Sequence, residues 1–238
     1  MKNKVWIIII AVLIILSGGV SGYFTARAVN HFMDEMEQPV EKPDVQKGTF
    51  SMYEKMGISS DELGAYSTPE EAIMNINKPI KMENVGFTSE EITAMFNISK
   101  NDLKAFYAES AVFNIQPDNS LHIDVYLDGD ALKGVTYLPD MALSVITKTK
   151  FTLHTTVEGV QDGKLMVKIN DIYTGEVHVM NFVNLFNLGS EVRGVFSEYI
   201  GKTVSLDISV LKDLKSFTVS DGLVFIDATF QSGGAGGK

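Results

Sequence analysis

From Val5 to Phe24 the chain reads VWIIIIAVLIILSGGVSGYF, an apolar run with no charge in it. At about 1.5 Å per helical residue this run spans about 30 Å, the thickness of a bilayer's hydrocarbon core. Lys2 and Lys4 precede it with no acidic residue, whereas Asp34, Glu35 and Glu37 follow it. The excess of positive charge before the run orients the N-terminus toward the cytoplasm and the bulk of the chain outside. Trp6 and Tyr23 lie near its two ends, where amphipathic rings favour the interface. A cleaved signal peptide is the competing reading, since Val5 to Leu16 suffices for its apolar region and Ser17, Gly18, Gly19, Ser21 and Gly22 are small. The anchor is preferred because apolar character resumes at Val20, Tyr23 and Phe24. Both readings export the remainder.

The whole chain has a formal charge of -10, and because Lys2 and Lys4 lie before the apolar run the exported part is more acidic still. That balance excludes a nucleic-acid partner, whose phosphates are bound by clustered Lys and Arg. There is no cysteine, which rules out disulfides, zinc thiolates, a thiol nucleophile and an acylated lipoprotein anchor. Hydrophobic residues make up 45% of the chain, enough for a buried core, so disorder is not expected. Asn30 to Lys47 is polar, acid-rich and broken by Pro39 and Pro43, as in a stalk. The expected organisation is a cytoplasmic tip over 1–4, a transmembrane helix over 5–24 and an acidic stalk over 25–60. An extracytoplasmic domain over 61–231 and a flexible tail over 232–238, SGGAGGK in sequence, complete it.

Within the domain, Ser67-Thr68-Pro69-Glu70-Glu71 starts a short helix that runs to about Ile76, with a capping hydroxyl, proline at the first helical position and acids in the first turn. Thr88-Ser89-Glu90-Glu91 is a capping box, followed by Ile92, Met95 and Phe96 on one helical face. The pattern then changes to period two. SAVFNIQ, the turn Pro117-Asp118-Asn119-Ser120 and LHIDVYLD predict a hairpin. Leu121, Ile123, Val125 and Leu127 take one face of its second strand; His122, Asp124, Tyr126 and Asp128 take the other. Further strands are predicted over Leu143 to Val157, Lys164 to Asp171 and Gly175 to Met180, with a turn at Gln161-Asp162-Gly163. Asn181 to Asn187 and Ser190 to Ile200 read as helical, Val192, Val195, Phe196 and Tyr199 forming a stripe in the second. VSLDISV and, after Ser220-Asp221-Gly222, LVFIDATF close the domain as strands. The fold class is therefore α+β, a twisted antiparallel sheet of five or more strands packed on helices.

The polar residues form no recognisable catalytic or metal motif. His122, His154 and His178 fall at polar-face positions of predicted strands, and no HExxH or i, i+4 histidine pair occurs, so they read as solvated surface. Asp124, Asp128 and Asp130 lack the EF-hand order and read as a charged face and loop rather than a calcium site. Ser209 to Lys212, with Ser220-Asp221-Gly222, matches fragments of the penicillin-binding motifs. The KTG element is missing, the spacing is short and Ser209 falls in a strand-like run, so the match is chance. The pairs Glu70-Glu71 and Glu90-Glu91 open helices, where acids meet the favourable end of the dipole. No enzyme, no cofactor and no metal are expected.

The order of an N-terminal membrane helix, an acidic stalk, the FTSEEITAMFN helix, a hairpin, a strand ending DIYTGEVHV, a helix and a strand after SDG resembles the YpmS-type family. Its members are membrane-anchored extracytoplasmic proteins of Gram-positive bacteria, similar to tubular lipid-binding domains of the BPI type. The resemblance spans roughly residues 80 to 231. It implies a curved sheet wrapped round apolar helices, with a groove for the acyl or isoprenoid chain of a lipid, and brings no catalytic residues. Met95, Phe96, Phe182, Leu185, Phe186, Val195, Phe196 and Tyr199 are the groove candidates; core packing of the same residues is the alternative. The expected partners are thus the membrane, a lipid, or an envelope protein docked on the acidic surface.

Overall fold

The computed structural model describes residues 42–99, 102–103, 108–128, 130, 150–174, 177–178 and 200–232. Short helices lead into the fold: α1 (Thr49–Lys55), α2 (Ser60–Leu63) and α3 (Pro69–Asn75). After β1 (Ile80–Phe87) comes α4 (Ser89–Ile98), then the strands β2 (Ala108–Ile115), β3 (Leu121–Leu127), β4 (Lys150–Gln161), β5 (Lys164–Thr174) and β6 (Val177–His178). The chain ends in β7 (Lys202–Leu206), β8 (Leu211–Ser220) and β9 (Leu223–Phe230). Among the described residues every strand pairing is antiparallel. The larger sheet runs β2-β3-β4-β5-β6, with β7 also on β5, and the smaller runs β1-β9-β8. The architecture is α+β and dominated by sheet.

The two sheets share one core. Phe113, Leu121, Ile123, Leu165 and Val167 of the larger sheet join Met82, Phe87, Phe217, Val224, Ile226 and Phe230 of the smaller, with Ile92 and Met95 of α4. β4 and β8 touch directly across it. Burial on this scale is the main source of stability, at about 25 cal/mol for each Å² of apolar surface removed from water.

The local signals at α3 and α4 produce the caps expected of them. Thr68 accepts from the Glu71 amide. Thr88 and Glu91 form a reciprocal capping box, the Thr88 amide reaching Glu91 Oε2 at 2.8 Å. Beyond its cap, α4 carries a polar stripe at four-residue spacing that closes the edge of the larger sheet. Ser89 Oγ accepts from the Ile115 amide at 3.0 Å and Thr93 Oγ1 from the Phe113 amide at 2.9 Å. Asn97 Oδ1 accepts from the Ala111 amide at 3.1 Å, and its Nδ2 donates back to the Ala111 carbonyl at 2.6 Å. Four helical residues advance about 6 Å and two strand residues about 6.7 Å, so the two repeats stay in step over three contacts. The free amides of β2, which would otherwise template another strand, are thereby satisfied.

The structure revises four boundaries. The stalk expected over 25–60 is already folded from Thr49: Met52 and Tyr53 of α1 are fully buried, and Met56, Ile58 and Leu63 belong to the core. Thr49, Met52, Tyr53 and Met56 fall at i, i+3, i+4 and i+7, a helical stripe too short to stand out beside the acidic residues before it, and it joins the core. Ser232, the first residue of the expected tail, is buried and donates to the Ile76 carbonyl at 2.7 Å, and the rest of that tail lies outside the described residues. The strand predicted from Leu143 is described only from Lys150, where β4 begins, and it runs on to Gln161. In VSLDISV, β7 ends at Leu206 and Ser209-Val210 forms a turn.

Two strands, β1 and β8, carry no legible alternation, and a bulge is the reason in each. Opposite β9, Met82 pairs with Ala228 but Val85 with Ile226, leaving Glu83 and Asn84 against Asp227. On the other side Lys212 pairs with Thr229 and Ser216 with Asp227, so residues 213–215 face Ala228 alone. Asn84 (φ 54°) and Asp213 (φ 50°) take the left-handed conformation that such irregularities require. Both edges of the smaller sheet are thus kinked against the same stretch of its central strand.

Candidate functional site

Of the groove candidates within the described residues, Met95 lies inside the core and Phe96, half-buried, packs against it. Met95 is fully buried. Phe96 stacks on Phe113 of β2, with centroids 4.4 Å apart, and meets Phe217 of β8 edge-on at 6.4 Å, so it bridges the two sheets. Phe182, Leu185, Phe186, Val195, Phe196 and Tyr199 lie outside the described residues, as do the predicted helices that carry them and the apolar run 5–24. Among the described residues no helix is long and apolar enough to cross a membrane.

Polar chemistry collects instead on the outer face of the larger sheet. The turn at Asp162-Gly163 sets β4 against β5, with Gln161 opposite Lys164. Two bulges follow in opposite senses, Glu158 being extra on β4 and Asn170 on β5, so they cancel and return His154 to a position opposite Asp171. On the other side His154 faces His122 of β3. The two imidazoles stack 3.7 Å apart with an 11° interplanar angle, and Tyr173 covers the far side of His154 at 4.4 Å. His178 of β6 meets Tyr173 edge-on at 5.1 Å, and its Nε2 contacts Asp171 Oδ2. A row of four rings therefore crosses four strands.

Beside this row lies a buried carboxylate. Asp124 accepts from Thr152 Oγ1 at 2.6 Å, Lys150 Nζ at 2.9 Å and Asn114 Nδ2 at 3.4 Å. Its burial is therefore compensated by three donors, one of them charged. Burial lowers the pKa of His122, and the neighbouring His154 lowers it further, whereas Asp118 and Asp124 oppose the shift. Neutral imidazole is accordingly favoured.

The histidines are thus half-buried members of a ring row, not the solvated residues expected from their polar-face positions. Alternation gives the face of each residue correctly but not its cross-strand neighbour. The second register, between β3 and β4, is set by packing rather than by a tight turn. Of the acids considered for calcium, Asp124 is committed to its three donors, and Asp128 accepts from the Asp130 amide at 2.9 Å. Ser209 sits in a turn, not in a strand. Its hydroxyl lies 2.7 Å from that of Ser99, and its amide donates to Asp102 Oδ2 at 2.8 Å, which ties the end of α4 to the approach to β8.

Fold and site together define an antiparallel α+β domain with one apolar core shared by its two sheets and an outward-facing imidazole–phenol row. No family model, curated protein or solved structure matches the chain.

Proposed function

We propose that the chain is a non-enzymatic binding protein, held on the outer side of the cell membrane by its N-terminal apolar run, that docks an envelope protein through its domain surface. The observation that carries this reading is the packing at α4. Met95 is fully buried in the core, and Phe96 packs between Phe113 of one sheet and Phe217 of the other, which leaves neither side chain lining an open groove here. Function then falls to the exterior, where a formal charge of -10 favours a basic partner and makes the association weaken with salt. Ser209, the serine singled out by motif, has its hydroxyl engaged by Ser99, in keeping with a structural role.

The second reading is a lipid module, supported by the YpmS-like order of elements and by the apolar stripes in the sequence from Phe182 to Tyr199. Native mass spectrometry of the full chain, gently extracted in detergent, separates the two. Docking predicts a lipid-free protein that associates with a basic envelope protein and releases it as salt is raised. Lipid that co-purifies and is lost on Phe186→Asp or Phe196→Asp, with folding intact, would overturn docking in favour of the groove.

A further inference from the structure

His122 and His154 are directly opposed on adjacent antiparallel strands, on the outer face of the sheet. Residues so placed have Cβ atoms about 4.5–5.5 Å apart, a span that two imidazoles can bridge to one ion. Ring faces are consumed by the stack with each other and with Tyr173. What the row offers a ligand is therefore its nitrogen edges. Neither imidazole hydrogen-bonds to any described residue, in contrast to His178, whose Nε2 is engaged by Asp171. Carboxylates stand nearby: Asp124 lies beside His122, though paired with Lys150, and Asp171 stands opposite His154, engaged by His178.

We propose that His122 and His154 form a cross-strand chelate for a divalent late transition-metal ion of the zinc or copper type, with water completing its coordination. Neutral imidazole is a preferred ligand for these ions, with metal–nitrogen bonds of about 2.0–2.1 Å for zinc. Parallel rings 3.7 Å apart direct their lone pairs side by side, so the imidazoles fan apart at χ2 to converge on the ion. Binding exchanges the His–His stack for two metal–nitrogen bonds. Among the described residues no group of three or more His, Asp or Glu could hold an ion, so of the described residues this pair alone supplies ligands. A site of this kind is assembled by register between strands and leaves no spacing motif in the sequence.

The test is a Zn²⁺ titration of the full chain in detergent, read by the imidazole ¹⁵N signals of its four histidines. The His122 and His154 signals should move together and saturate at one equivalent, while those of His31 and His178 stay in place. Losing either ligand removes the chelate, so His154→Gln should weaken the response at His122 by about 100-fold, and His122→Gln should do the same at His154. Amide spectra of both variants confirm the fold, and the reciprocal design keeps the test decisive if one variant unfolds. Independent titration of the two rings, no response at either, or retention of wild-type affinity in a folded single variant would overturn the proposal.

Discussion

Replacing Asn97 with alanine tests how α4 closes the edge of the larger sheet. The Asn97 side chain is buried and makes three hydrogen bonds, accepting from the Ala111 amide and donating to the Ala111 and Thr93 carbonyls. Alanine would leave both backbone groups of Ala111 without these partners. Each buried group so orphaned costs about 1–3 kcal/mol, and some water entry at the edge brings the expected total to about 2–4 kcal/mol. Against a typical stability of about 5–15 kcal/mol that is a large share. Two comparisons sharpen the argument. Thr93→Val keeps the shape and orphans only the Phe113 amide, for about 1–3 kcal/mol. Ser89 is half-exposed, so water can replace its hydroxyl and Ser89→Ala should cost less than about 1 kcal/mol. Urea unfolding of the full chain in detergent, followed by far-UV circular dichroism, gives the ranking, and hydrogen exchange at the Ala111 and Phe113 amides gives the location. A reversed ranking, or an Ala111 amide still protected in Asn97→Ala at unchanged stability, would refute the reasoning.

Gly48 has an ordinary φ of -83°, where alanine would normally stabilise by about 0.4–1 kcal/mol, but its Cβ would lie 2.6 Å from the Glu91 amide nitrogen and closer still to the Glu90 carbonyl. Gly48→Ala should therefore destabilise by about 1–3 kcal/mol in the same unfolding assay; a gain in stability would show that α1 is not docked on α4. Phe96→Ala removes the ring that joins Phe113 to Phe217 and should cost about 2–3 kcal/mol, near the low end for aromatic truncation because the ring is half-buried, whereas a site open to lipid would show little loss. Burial opposes the ionisation of Glu91, yet Lys55 and the Thr88 amide hold its carboxyl below the ordinary 4.5. The stability this confers is present above about pH 4.5 and lost as pH falls through the lowered value, so Glu91→Gln should flatten that part of an acid-unfolding curve. For the tether, salt-washed membranes should retain a chain that still begins at its first residues; an N-terminus near Asn30 with release by salt would establish cleavage instead.

Local chemistry that needs only neighbouring residues was legible in the sequence. Thr68-Pro69 and the Thr88–Glu91 box start helices where they stand, because a cap is satisfied within four residues. The turns at Asn119 and Asp162-Gly163 and the alternation of β3, β5 and β9 follow from the same short range. The α+β class rests on those elements together. Tertiary structure alone decided the rest. β1 and β8 lose their alternation at bulges that exist only because β9 lies between them, and α1 joins the domain because Met52 and Tyr53 find a core to enter. The stripe of Ser89, Thr93 and Asn97 would pass for a solvated helix face until β2 supplies amides at matching spacing. His122 and His154 lie 32 positions apart, and their meeting depends on a register that packing of the whole sheet sets and that no local preference encodes.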